Sequence, residues 1–212
     1  MVYRRHLPHW RQDGCAYFVT FRLKDSIPRS IIEHWIEDRN AWYRSHGLDG
    51  NMDKSKWNDI YRSIPEKERR AFERDQIAKP LRELDRCHGA CVFRDKAHAE
   101  LLKNALLYFD GDRVQCGDFI VMPNHVHWIV MPLKGYALEI LLKSIKGYVS
   151  TRLGKMHPEL KGSLWQSEFY DRCIRDREEL ARIRVYIADN PAFANISEKD
   201  YVYHRADWLD IE

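Results

Sequence analysis

No stretch of this 212-residue chain approaches the ~18 consecutive apolar residues of a membrane span. The opening MVYRRHLPHWRQDG carries arginines but no apolar run behind them, so it does not read as a secretory signal. The expectation is therefore a cytoplasmic protein. Cysteine is sparse and odd in number: Cys15, Cys87, Cys91, Cys116 and Cys173 are scattered, which argues against a disulfide framework. The CHGAC stretch has no second pair at zinc-finger spacing. Neither sign of charge dominates, with 35 Lys and Arg against 32 Asp and Glu, for a net charge of +3. That balance neither demands nor excludes a nucleic acid, because a basic face can sit inside a neutral total. Internal repeats, low-complexity tracts and a P-loop are all missing, so nothing points to nucleotide-driven chemistry.

What is present reads as one α+β domain. CAYFVTFRL (15–23) alternates and is rich in aromatic and β-branched residues, which predicts a strand. Apolar residues recur at helical spacing in SIPRSIIEHWIEDRNAWYRS. Residues from about 46 to 86 are charged and broken by Gly and Pro, and they read as a helical insertion outside the main core. DKAHAELLKNALLYFD (95–110) predicts a helix capped by Asp95. RVQCGDFIVMP and HVHWIVMP predict two strands around Pro123 and Asn124. A helix from Ala137 to Leu153 follows, then a Gly- and Trp-containing loop (154–170), then the helix DREELARIRVYIADNP. This order matches a ferredoxin-like split βαβ sandwich: an antiparallel sheet with helices on one face, plus a C-terminal helix. The fourth strand is either the EFYDRCI stretch or a piece of the C-terminal tail.

Within FIVMPNHVHWIV (119–130), His125 and His127 stand two apart. Side chains alternate along a strand, so both imidazoles point to one face, where they can share a metal ion. On the last helix Tyr186 and Asn190 are four apart and share a face. Pro191 is expected to end that helix and leave Asn190 at a frayed terminus. A tyrosine nucleophile beside an oxygen ligand and an HxH strand suits metal-assisted attack on a phosphodiester.

MPNHVH resembles the His–bulky apolar–His motif of the single-tyrosine HUH transposases, the IS200-like superfamily. LWQSEFYDRCIRD…YIADNP and the opening RRHLPHW…AYFVTFRL resemble one branch of it, the REP-associated tyrosine transposases. The resemblance covers roughly residues 3–38 and 90–195. It implies a ferredoxin-like fold that cuts and rejoins single-stranded DNA through a 5′-phosphotyrosine. Tyr186 matches the catalytic tyrosine, and His125, His127 and Asn190 match the ligands of Mg²⁺ or Mn²⁺. Two imidazoles suit manganese better than magnesium. The implied substrate is a DNA hairpin with a single-stranded foot, and a single chain can supply both halves of the site, which implies a monomer; a homodimer stays open.

Candidate phosphate contacts are Arg4, Arg5, Lys143, Lys146, Arg172 and Arg175. Trp10 and Trp165 are candidate stacking platforms, and Gln166 is a candidate reader of a base edge. Two other functions fit the same residues: a protein that grips structured nucleic acid without cutting it, and a metal-dependent hydrolase with water as nucleophile. The first needs no tyrosine–histidine set, and the second needs no Tyr186.

Overall fold

A computed structural model describes all residues except 1, 5–7, 11, 13, 161–163 and 211–212, with 2–4 and 8–10 as backbone only. It divides into two compact units, Met1–Ser26 with Cys87–Glu212, and Ile27–Arg86.

The larger unit opens with a short hairpin, β1 (Val2–Arg4) and β2 (Pro8–Trp10), followed by β3 (Tyr17–Arg22). The smaller unit is three helices: α1 (Arg29–Ser45), α2 (Lys54–Ser63) and α3 (Glu66–Leu84). Its interior is aromatic. Trp42 of α1 stacks on Phe72 of α3 with centroids 3.8 Å apart, and Trp57 stacks on Tyr61 within α2 at 4.9 Å. This packing draws α1 into the same unit as the charged stretch that follows it. Pro65 sits just before α3, but Pro80 lies inside it and does not end it.

The larger unit resumes with α4 (Lys96–Leu107), β4 (Val114–Val121), β5 (His125–Pro132), α5 (Leu138–Met156), β6 (Tyr170–Cys173), α6 (Arg177–Phe193) and β7 (Val202–His204). Asp95 does cap α4, its carboxylate accepting from the Ala97 N–H at 2.8 Å. The strands form one antiparallel sheet in the order β6-β3-β5-β4-β7. Setting β7 aside, the first and third strands lie inside and the fourth and second outside, which is the ferredoxin-like arrangement. Both candidates for the outer strand are used: EFYDRCI forms β6, and the tail adds β7 beside β4. Among the described residues no helix is long and apolar enough to cross a membrane.

The two faces of the sheet bury different side chains because strand residues alternate. Tyr17, Val19 and Phe21 of β3, Phe119 and Val121 of β4 and Val126, Trp128 and Val130 of β5 face α4 and α5. Those helices answer with Leu102, Ala105 and Leu106 and with Leu141, Leu142, Ile145 and Val149. Each large apolar side chain buried there is worth about 1.5–3 kcal/mol. The opposite face carries Phe18, Ile120 and Ile129 and is covered by α6 through Ile187. The helices of the split unit thus share one face, and the last helix takes the other, where both histidines point.

One glycine in the sheet is required by close approach. β4 shifts register between Cys116 and Phe119, and a Cβ on Gly117 would lie 2.7 Å from the Ile129 carbonyl oxygen. Backbone on both sides cannot yield cheaply there. Gly117→Ala is expected to lower unfolding free energy by about 1–3 kcal/mol, read from the midpoint of urea denaturation. An unchanged midpoint would mean that β4 relaxes away from β5 at no cost.

Candidate functional site

The imidazoles sit where β3 and β5 pair. Thr20 lies opposite His127 and Arg22 opposite His125 in the antiparallel register. Because the strand is central and α6 lies across it, both histidines are fully buried. Their Nε2 atoms approach to 3.1 Å. Each outer nitrogen is held. His125 Nδ1 meets Asn124 Oδ1 at 2.8 Å, and His127 Nδ1 meets Thr20 Oγ1 at 2.7 Å. The Asn124 amide is oriented by its own Nδ2, which donates to the His88 carbonyl at 3.0 Å. Oδ1 is then the acceptor, so His125 carries its proton on Nδ1 and turns a lone pair inward from Nε2. Thr20 can donate to or accept from His127, so its hydroxyl suits either tautomer.

α6 brings the other half. Asp176 caps it, accepting from the Glu179 N–H at 2.7 Å, and buried Glu179 accepts in return from the Arg175 N–H at 2.9 Å. That reciprocal pair fixes the start of the helix. Further along, Arg184 Nε donates to buried Asp118 of β4 at 2.8 Å, and Asp118 also accepts from the Ala206 N–H at 2.8 Å. Arg184 reaches Asp210 as well, at 2.6 Å. With α6 fixed this way, Tyr186 Oη lies 3.3 Å from His127 Nε2, and its ring tilts over the imidazole at 5.1 Å between centroids. Phe18 stacks on the same imidazole at 5.4 Å. Asn190 is fully buried and its side chain hydrogen-bonds toward His125.

Pro191 does not end the helix, contrary to the sequence expectation. α6 continues to Phe193, and the Ala194 N–H still reaches the Asn190 carbonyl at 3.1 Å. Proline in the last turn removes only one backbone bond, and the turn closes around it. Asn190 is therefore held in the body of a helix rather than at a frayed end.

Burial disfavours charge on both rings. It pushes His125 down to about 3, against the opposing hydrogen bond from Asn190, and it holds His127 well below the usual imidazole range, with the neighbouring His125 acting in the same direction. Neutral imidazoles with converging Nε2 atoms and supported Nδ1 atoms are the form that binds a metal ion. Among the described residues no group of three or more His, Cys, Asp or Glu gathers; the groups here that could hold a metal are the two imidazoles and the Asn190 amide. That set fits a divalent ion that keeps further positions for water or substrate oxygen.

Residues 90–190 match the family model described as "Transposase IS200 like". Over that stretch, just under half of its length, the chain is similar to the IS200-like transposases. The matched residues span α4 to Asn190 and so contain both histidines and the tyrosine. Among solved structures, a REP-associated tyrosine transposase bound to a REP hairpin is 15% identical, with 90% of this chain and 72% of that chain covered and a TM-score of 0.47. A candidate transposase from Deinococcus radiodurans R1 is 14% identical, with 86% and 98% covered and a TM-score of 0.36. No curated protein matches the chain.

Around the histidine–tyrosine site the cationic candidates separate. Lys143 and Arg175 are exposed. Arg172 is half-exposed and pairs with buried Glu179, tying β6 to α6. Lys146 is half-buried, its Nζ donating to the Gln166 carbonyl at 2.6 Å. Gln166 is held by its backbone, the N–H donating to the Arg22 carbonyl at 3.0 Å. Trp165 is no stacking platform: it is buried, its ring lies 5.2 Å from Phe21 and 5.3 Å from Phe93, and its Nε1–H donates to the Lys146 carbonyl at 3.1 Å. An aromatic ring beside Gly and Ser reads equally as a surface platform or a core anchor, and here the core takes it. Arg5 lies outside the described residues, as do the side chains of Arg4 and Trp10.

Thr20, Asn124 and the Asp118–Arg184 pair were not foreseen. Asn124 is the residue just before the histidines and could have been suspected from adjacency. Thr20 becomes visible only with the register of β3 against β5.

The neutral imidazoles set an acid dependence. Their folded values lie below the unfolded value of about 6.5, so the unfolded chain binds more protons below that pH and stability falls with acid. In chelator-treated protein the loss attributable to His125 is expected between about pH 6.5 and pH 3, at up to about 1.4 kcal/mol per pH unit. Urea titrations across that range check this: His125→Gln should flatten the slope, and an equal slope in the variant would refute a buried neutral His125.

Proposed function

We propose that this protein nicks and joins single-stranded DNA at hairpin-type sites through a covalent bond between Tyr186 and a 5′ phosphate. Similarity of residues 90–190 to the IS200-like transposases supports DNA transposase chemistry in general. The observation that carries the finer reading is the 3.3 Å approach of Tyr186 Oη to His127 Nε2 within one chain. Hairpin DNA as substrate rests on the YIADNP and WQSEFYDRC signatures of the REP-associated branch. One chain holding both halves of the site favours a monomer.

The phenol oxygen attacks phosphorus in line, and the 3′ oxygen leaves with a proton as a free 3′-OH. The phosphotyrosine bond retains the energy of the broken phosphodiester, so rejoining to another 3′-OH needs no nucleotide hydrolysis. A free phenol has a pKa near ~10, so only about one in a thousand is ionised at pH 7. His125, His127 and Asn190 would hold a divalent ion, manganese before magnesium, which would supply positive charge against the phosphate oxygens and favour the phenolate. His125 and His127 stay neutral because they are buried, and Asn124 and Thr20 keep their rings in place. Phe18 packs edge-on against the Tyr186 ring at 6.0 Å and helps to hold it over the imidazole pair.

The test is a denaturing gel of protein incubated with a labelled single-stranded DNA hairpin and Mn²⁺ or Mg²⁺. A slow covalent band is expected, lost with chelator and lost in Tyr186→Phe. Cleavage surviving in Tyr186→Phe would point to water as nucleophile. Binding to hairpins with no cleavage under any metal would point to a binding protein.

A further inference from the structure

Arg22 lies directly across from His125 in the β3–β5 register, where facing residues on one side of a sheet have Cβ atoms about 5 Å apart. It stands two residues from Thr20, so it emerges on the same face as the imidazole pair. Its guanidinium is half-buried, and burial lowers its proton affinity. Its hydrogen bonds are both made by Nη1, to Ser26 Oγ at 3.1 Å and to the Leu23 carbonyl at 3.3 Å. Ser26 Oγ in turn donates to the Leu23 carbonyl at 2.7 Å, which fixes the acceptor. Among the described residues no carboxylate forms an ion pair with Arg22, although a buried cation ordinarily has one. The guanidinium edge formed by Nε and Nη2 is left to meet a planar or tetrahedral oxyanion.

A second cation stands nearby. Lys146 reaches from α5 to the Gln166 and Ser167 carbonyls, at 2.6 and 3.5 Å, and the Gln166 N–H is bonded to the Arg22 carbonyl. Burial pulls Lys146 down to about 8; Glu168 opposes that and Arg22 adds to it, so the two cations feel each other. Glu168 acts on Lys146 at a distance and makes no ion pair with either cation. Arg22, opposite His125, and Lys146, joined to it through Gln166, are two half-buried positive groups with neutral carbonyls and a hydroxyl as their hydrogen-bond partners at one end of β3.

We infer that Arg22 and Lys146 form a binding site for a backbone phosphate of the DNA strand, next to the phosphate that Tyr186 attacks. This rests on the proposed DNA-nicking reading and adds to it a fixed anchor for the strand. An anchor one phosphate from the attacked bond would set which phosphodiester reaches the tyrosine, independently of base identity. It also accounts for an arginine at the end of an otherwise buried strand.

The test uses the full chain with Tyr186→Phe, which removes turnover, and a labelled DNA hairpin carrying a single-stranded foot. Affinity is measured by fluorescence anisotropy over a series of salt concentrations. Arg22→Gln is expected to weaken binding about tenfold and to reduce the salt slope by about one phosphate contact. Arg22→Lys should restore part of the affinity and the slope, an effect that a purely structural defect would not produce. Lys155→Gln, at an exposed cation near the end of α5, is the reference and should change neither as much. Thermal unfolding of each variant checks that the fold is intact, and Lys146→Gln provides the second variant should Arg22→Gln unfold. Equal affinity and slope for Arg22→Gln and its parent would overturn the anchor while leaving DNA nicking standing. Failure of the parent to bind any hairpin would overturn both readings.

Discussion

The pairing of β3 with β5 is the constraint on which the site depends. Its register sets Thr20 against His127 and Arg22 against His125. A slip of β5 by one residue would turn both imidazoles to the other face, into the packed layer of α4 and α5. That slip is opposed from both sides, because Val126, Trp128 and Val130 would then leave the core for the face under α6. The hydrophobic pattern that folds the sheet therefore also aims the imidazoles. Function in this fold is a by-product of which residues alternate with the core.

The second constraint is the seating of α6. Its apolar residues give it a place on the sheet, but apolar contact is tolerant of sliding and rotation. The ion pairs of Arg184 with Asp118 and Asp210, and the cap made by Asp176 and Glu179, are directional and select one pose. Asp118 is almost wholly buried, so losing its partner would leave an uncompensated charge. Tyr186 thereby reaches His127 from a helix contributed by the same chain. The tail beyond α6 takes part through Ala206 and Asp210, which gives β7 and the last residues a role in holding the helix.

Much of the architecture is legible along the chain. Alternation in YFVTFR and the HVHWIV run mark central strands, and the Asp95 cap and the apolar stripe behind it mark α4. The shared face of His125 and His127 follows from a period of two, and that of Tyr186 and Asn190 from a period near four. What a single sequence does not reveal is partnership across elements. Nothing in VTFR says that its threonine will hold an imidazole more than a hundred positions away. Trp165 looks the same whether it stacks on a base or fills a core, because only the approach of Phe21 and Phe93 decides. Pro191 misleads because a helix breaker in a final turn costs only one bond.

The central claim is that the two imidazoles converge on one divalent ion beside the tyrosine. Pulsed electron paramagnetic resonance of the Mn²⁺-loaded protein measures this directly. Couplings to two histidine nitrogens are expected, falling to one in His127→Ala. A spectrum of a hydrated manganese ion with no nitrogen coupling would contradict the account.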